Sequence, residues 1–473
     1  MKKSFLKRLP IYFLTLVSFL GRFWQIYFPP KVVFDETYFS LFAHKYLFHQ
    51  YYFDIHPPLG KLLFALLLFL FGKKTFFDFK MDSFYPNLNY LILRSFVAFL
   101  GALLPILVFF LVKKTGFSER AAFLAAFLIV FDNAFLVQSR FVLMDIILLF
   151  FIFLSLIFFI LQKEKKPFSF SWYFYNLILG FLLGFTISIK FTGFGALAII
   201  FIWEILEEKL FQKPKKEIFF KISFFFFLPL FIYFFISYIH LELLTNVCFS
   251  NCGWIFDEIW TKRISELSPE KREEVIKIIR FPPFGNKIFR VFLLSYYSLS
   301  TNTSLIDWRF SSKWYTWPFL IRPILYFQEK VDQRMRFIFL LGNPIVWWLS
   351  FLGTISFLYF ILREYIIKKK PFVFQNENFR LFFLGYFVYL FPFAAIPRFT
   401  AIYHYFPSLV FSIILFSIFF DFALQKIPKI KPLFFVLLFF VILGFLYFLP
   451  LSYGFLMNFS QFKARIWLPT WYL

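Results

Sequence analysis

A chain of 473 residues that is 61% hydrophobic and 16% charged, with 88 phenylalanines, excludes a soluble single-core domain. Its mean hydropathy of +0.74 comes from apolar runs that recur along the whole length, each near the ~20 residues a membrane-crossing helix needs. The net charge of +24 does not mark a nucleic-acid binder, because many of the lysines and arginines stand in short tufts between apolar runs.

In chain order, Lys2, Lys3, Lys7 and Arg8 precede a first predicted span over 10–28. Further spans are predicted over 90–112, 119–137, 141–161, 173–189, 191–206, 218–240, 337–362, 381–397, 404–424 and 433–450. With the N-terminus inside, every tuft falls on the cytoplasmic side: Lys113 and Lys114; Lys163, Lys165 and Lys166; Lys209, Lys213, Lys215 and Lys216; Lys368, Lys369 and Lys370; Lys426, Lys429 and Lys431. The same tufts favour contact with anionic membrane lipid. The expected fold class is therefore an all-α polytopic membrane protein of about eleven transmembrane helices, its C-terminal tail outside. The first span has the basic front of a signal peptide but no small-residue cleavage site, and is expected to stay as an anchor.

The chain divides into an N-terminal membrane half, 1–240, an outer helical lobe, 241–336, and C-terminal membrane helices with an outer tail, 337–473. Three segments lie outside: a first loop over 29–89, the lobe itself, and the turn 397–404 with the tail 451–473. Leu59–Gly72 is apolar but short, and is expected to be interfacial or re-entrant. The lobe carries a Ser268-Pro269-Glu270 helix start. Cys248 and Cys252, the only cysteines, are spaced for a local disulfide on an oxidising face rather than for a metal.

Asp35 and Glu36 follow Pro29-Pro30, which end the first helix and leave the pair at the outer interface. The pair admits two readings: a helix cap with an acidic first turn, or a reactive carboxylate. Asp54-Ile55-His56-Pro57-Pro58 makes a second polar knot in the same loop. At the same predicted depth lie Arg94, Arg140 and Asp145 in QSRFVLMD, Lys190 in SIKFTG, and Arg398 and His404 in IPRFTAIYHYFPS. Each cation alone could snorkel to the headgroups. Several on one face point to an anionic lipid headgroup, since phosphate takes forked arginine donors. A carboxylate facing a phosphate site suits substitution at a carbon with a phosphate leaving group, the base taking a proton from an acceptor hydroxyl. No DxD pair or His cluster is spaced to hold a metal. The aromatic runs WYTWP, NPIVWW and IWLPTWYL read as an interfacial belt, with Trp314 and Trp317 the best candidates to face a sugar.

These residues carry a resemblance. FDE with YYFDIHPPLGKLL, then SRFVLMD, SIKFTGF, KWYTWPFLIRPILYF at 313–327, LGNPIVWWLSFLG at 341–353 and YHYFPSLV at 403–410 resemble, in order, the protein O-mannosyltransferases of the C-type glycosyltransferase (GT-C) fold. The resemblance implies inverting, metal-independent transfer of mannose from a polyprenyl (dolichyl-type) phosphate mannose to Ser or Thr hydroxyls of exported proteins. No cofactor is implied beyond the lipid-linked donor, and the implied site faces outward from the cell (inner) membrane. Carried over by position, Asp35 is the catalytic base and Glu36 its partner at the acceptor. Arg94 is an essential cation, Arg140 lies near the carrier phosphate, and Lys190 and Arg398 belong to the phosphate side. Asp54, His56, Asp145, His404, Trp314 and Trp317 complete the substrate-binding set. Where the family commonly has His and Gly after the acidic pair, this chain has Tyr38 and Ser40. The 241–336 lobe is too short for the β-trefoil repeats of eukaryotic members, which favours a prokaryotic type. The nearer rival is a related GT-C transferase with another sugar or a lipid acceptor, such as one placing an aminosugar on lipid A. The more distant rival, a transporter, would show internal repeats and midplane charges.

Overall fold

The computed structural model describes residues 2–75, 77–245, 268–270, 284–304, 310–368 and 377–471. Cys248 and Cys252, and with them the expected disulfide, lie outside the described residues, as does most of the 246–283 stretch.

Helix α1 (Lys2–Phe23) leads through a loop to α2 (Glu36–Leu47), α3 (Leu59–Phe71) and the long α4 (Asn89–Lys114). Then come α5 (Glu119–Val130), α6 (Asn133–Gln138), α7 (Asp145–Lys163), α8 (Phe170–Ile189) and α9 (Phe194–Leu206). The next apolar rod, α10 (Lys215–Leu243), contains one π-helical stretch, Ser223–Phe227. Helix α11 (Phe284–Ser304) precedes a hairpin of β1 (Ile324–Val331) and β2 (Arg334–Leu340). The chain closes with α12 (Pro344–Lys368), α13 (Glu377–Leu390), α14 (Phe406–Lys426) and α15 (Leu433–Tyr453). Seven of the described helices are long and apolar enough to cross a membrane. Shorter apolar helices account for the expected spans 10–28, 191–206 and 381–397. Helix α3, 13 residues and ~20 Å long, is well short of the ~30 Å hydrocarbon core.

Two expectations need correction. The span expected over 119–137 breaks after Val130, because Asp132 caps α6: its Oδ1 accepts from Phe135 N at 3.0 Å. Its Oδ2 accepts from Asn343 N and from Trp347 Nε1, both at 2.9 Å. The GNPIVWW run thus stitches this break to α12, while Asn343 Nδ2 reaches Val441 O of α15 at 2.9 Å. The second correction concerns 324–340, expected as helical lobe and as the start of a span at 337. Its aromatic and β-branched residues pair antiparallel, Ile324 opposite Leu340 and Val331 opposite Arg334, around a two-residue turn with Asp332 at φ +55°.

The aromatic belt also dissolves in part. Trp317, Trp347 and Trp471 are completely or almost completely buried, so they pack the protein rather than face headgroups. At one end of the bundle basic residues in and near the tufts engage carboxylates: Lys163 with Glu208 at 2.8 Å, Lys221 with Glu204 at 2.7 Å, and Arg380 with Glu207 at 2.8 Å. The polar loops gather at the opposite end.

Candidate functional site

Asp35 stands at the N-cap position of α2, yet its side chain makes no capping hydrogen bond. Its neighbour explains this. The Glu36 carboxylate turns back and accepts from Val33 N at 3.1 Å, so the loop is closed without Asp35. Phe34 holds a left-handed φ of +50°, costly for an aromatic residue, and its ring stacks on Tyr326 of β1 at 4.4 Å. That contact fixes how Asp35 leaves the turn.

Burial pushes the Asp35 carboxyl up to about 7; Lys190 pulls it down, while Asp145 and Asp54 push it up. The three are within electrostatic reach from three different segments, which brings the first loop, the 188–193 turn and the start of α7 together. Two of these neighbours, Asp145 and Lys190, line a cavity together with His56, Arg398, Tyr403 and His404, with Leu148, Phe191 and Tyr389 as apolar wall; Asp35 itself is not in the lining. Lys190 uses one of its three ammonium donors on Asp145 Oδ1 at 2.7 Å and lies 5.4 Å from the Tyr403 ring centre. Arg398 Nη2 donates to His404 Nε2 at 2.8 Å, while His404 Nδ1 lies 3.1 Å from Ala401 N and 3.0 Å from Ala401 O, which anchors the ring to the backbone. Burial, with Lys190 and Lys61 nearby, holds His56 well below its usual range and therefore neutral.

The remaining sequence candidates lie behind this cavity. Glu36 and Arg94 are fully buried and form a two-pronged pair: Nε to Oε1 at 2.8 Å and Nη2 to Oε2 at 2.7 Å. Arg94 spends its other three N–H donors on Ile26 O, Pro29 O and Lys31 O. Glu36 Oε1 also accepts from Val142 N at 2.9 Å. All five guanidinium donors are thus engaged with protein, which makes Arg94 a clasp between α4 and the first loop. Arg140, also buried, gives Nη1 to Ser452 O at 3.0 Å and Nη2 to Gln25 O at 2.9 Å, away from the cavity. Asp54 is paired with Lys61, which also donates to His56 O at 2.7 Å, so the polar knot is locked from α3. The first turn of α3, just after the knot, passes so close to the 139–144 loop that a Cβ on Gly60 would meet Met144 Sδ at 2.7 Å. Trp317 lies under His404, rings 6.0 Å apart and nearly parallel, with Nε1 on Ser312 Oγ at 3.1 Å. Trp314 packs on Phe391, and neither indole lines the cavity.

Sequence reasoning missed Tyr326, Gln138 and Tyr403. Tyr326 donates to Gln138 Oε1 at 2.6 Å, and Gln138 Nε2 donates to Asp145 Oδ2 at 2.9 Å. Asp145 is therefore held between this relay and Lys190. Both residues stand inside the motif-like runs QSRFVLMD and KWYTWPFLIRPILYF, but nothing in either run marks them as partners. Among the described residues, no three His, Cys, Asp or Glu side chains come together as a metal ligand set.

The family model described as dolichyl-phosphate-mannose-protein mannosyltransferase matches residues 12–245, and that of the C-terminal four-helix membrane region of protein O-mannosyltransferases matches 289–471. The chain belongs to the protein O-mannosyltransferase family. Protein O-mannosyl-transferase 2 of Danio rerio is 37% identical over 197 residues, 40% of this chain and 26% of that protein. A mannosyltransferase 4 of Schizosaccharomyces pombe is 36% identical over 192 residues, again 40% of this chain and 25% of its own. The chain thus aligns with about a quarter of the length of these relatives. In fold it is similar to the Saccharomyces cerevisiae Pmt1-Pmt2 complex bound to its sugar donor, with a TM-score of 0.83 at 19% identity over 98% of this chain and 92% of that one. The Archaeoglobus fulgidus oligosaccharyltransferase shares the architecture more distantly, TM-score 0.54 at 14% identity, covering 97% of this chain and 55% of its own. The fold of this O-mannosyltransferase family member is the GT-C fold.

Proposed function

We propose that this protein transfers mannose from a polyprenyl-phosphate mannose to Ser or Thr hydroxyls of protein acceptors, with the cavity that Asp145, Lys190 and Arg398 line as the site. The observation that carries the reading is a buried carboxyl raised to about 7 within electrostatic reach of Lys190 and Asp145, which also line a cavity with Arg398. A base of that strength is matched to neutral pH. Asp35 takes the proton of the acceptor hydroxyl as its oxygen forms a bond to the sugar carbon. The bond from that carbon to the carrier phosphate breaks, and the electron pair leaves with the phosphate. Lys190 and Arg398 offset the charge arriving on the phosphate, and neutral His56 and the His404–Arg398 pair shape its seat. Attack from the face opposite the phosphate inverts the sugar carbon, and the cations make a metal unnecessary. The site faces the extracytoplasmic side, and the acceptors are exported proteins. Glu36, Arg94 and the Asp54–Lys61 pair hold the first loop in place; they do not touch the sugar.

The test is transfer by purified protein in detergent with EDTA, from a polyprenyl-phosphate mannose to a Ser/Thr-rich peptide. Wild type is expected to transfer and Asp35→Asn to lose about 10²–10⁴-fold with an unchanged melting profile. A fully active Asp35→Asn sinks the assignment of the base. Transfer to lipid A instead of peptide would move the protein to the lipid-modifying class.

A further inference from the structure

A second cleft runs between the ends of α1 and α15 on the Asp35 side of the bundle, and it shares no lining residue with the cavity above. Val17, Leu20, Phe131, Leu136, Phe445 and Leu449 make its walls. Leu20 is 61% exposed and Trp24, also in the lining, 48%, so the cleft opens sideways onto the lipid-facing surface. Arg22 lines this apolar groove although it is almost wholly buried. Its Nη1 donates to Ser18 Oγ at 2.9 Å and approaches Ser18 O at 3.4 Å. Its Nε and Nη2 have no hydrogen-bond partner among the described residues. Arg140 stacks at 4.3 Å on the ring of Tyr453, which lines the same groove, and its Nε is likewise unpartnered. Asp132 acts on Arg22 electrostatically, but its hydrogen-bonding capacity goes to Phe135 N, Asn343 N and Trp347 Nε1.

A guanidinium stays charged at any physiological pH, and a charge in an apolar setting requires a counter-charge. Two arginines meet here around one tyrosine, with a single carboxylate engaged elsewhere. We propose that this groove holds one anionic phospholipid of the leaflet on the Asp35 side, its phosphate at the Tyr453 end of the groove, drawn there by the charges of Arg22 and Arg140 behind the wall. An acyl chain lies along Leu449 and Phe445. The nine residues from Phe445 to Tyr453 rise ~12 Å from first to last, most of the ~15 Å of hydrocarbon in one leaflet. A polyprenyl chain would overrun that length, which is why a phospholipid is the better fit. The family resemblance puts Arg140 near a carrier phosphate but marks neither Arg22 nor this groove, and the site does not depend on the reaction proposed above.

Native mass spectrometry of the detergent-purified protein decides it, with phosphatidylglycerol, phosphatidylcholine and undecaprenyl phosphate as probes. Wild type is expected to retain phosphatidylglycerol roughly tenfold over phosphatidylcholine. Arg22→Gln is expected to erase that preference, and Leu449→Trp, which fills the groove but leaves the cations in place, to lose retention itself. Equal retention of the two phospholipids by wild type overturns the proposal. So does an unchanged preference in folded Arg22→Gln, or, should that variant not fold, unchanged retention in Leu449→Trp. Displacement of phosphatidylglycerol by an equimolar amount of undecaprenyl phosphate would reassign the groove to a carrier lipid and overturn the phospholipid reading.

Discussion

At the scale of single residues, the acidic pair at 35–36 splits into two unlike groups. Glu36 is saturated by Arg94, Val33 N and Val142 N, whereas Asp35 makes no capping bond and is set among charges. Burial is the largest influence on Asp35 and Lys190 the largest opposing one, which gives a prediction with a sign. The reactive form is the anion, so kcat/KM should rise with pH and level off above about 7. Replacing Lys190 by Met removes the attraction that favours the anion, and the inflection should move to higher pH while kcat falls. An inflection that stays in place or moves to lower pH would show that some other group titrates.

At the scale of elements, the Glu36–Arg94 clasp and the β1–β2 hairpin set the position of the first loop. Arg94 reaches from α4 to three carbonyls of the 26–31 stretch, and Lys31 continues the chain of contacts to Glu329 of β1 at 2.9 Å. Removing one member of a buried pair leaves the other charge without compensation. Glu36→Gln and Arg94→Met should therefore each destabilise the protein by about 3–5 kcal/mol. The double variant should cost much less than the sum, because the shared contact is counted once. Denaturation midpoints of the four proteins measure this; additive losses would mean that the two residues act independently. A loss of transfer in either single variant would then come with a lost melting transition, unlike the loss in Asp35→Asn.

At the scale of the whole molecule, the helices alternate so that polar loops meet at one end and the lysine tufts at the other. Asp35, Asp145, Lys190 and Arg398 come from four connections that meet at one end of the bundle. The proposal places that end outside. Single cysteines at Lys80 and Lys209, in a background lacking Cys248 and Cys252, test it with a membrane-impermeant thiol reagent on intact cells. Label at position 80 and protection at 209 is the expected result. Label at both, or at 209 alone, would refute the outward-facing site.

The apolar runs and lysine tufts were enough to read the helical membrane class and which turns share an end, because crossing hydrocarbon imposes length and charge asymmetry on local sequence. The ordered motifs gave the family, and Asp35, His56, Asp145, Lys190, Arg398 and His404, all candidates in sequence, come from loops that the fold draws together. Tertiary structure alone separated residues that face the cavity from those that hold it. Arg94 and Arg140 look like phosphate ligands in sequence, but guanidinium donors bind backbone carbonyls as readily as phosphate, and only packing decides which is in reach. The hairpin at 324–340 was hidden because aromatic and branched residues serve a buried strand and a membrane helix alike. The Tyr326–Gln138–Asp145–Lys190 relay joins residues up to 188 positions apart, a link that no local pattern encodes.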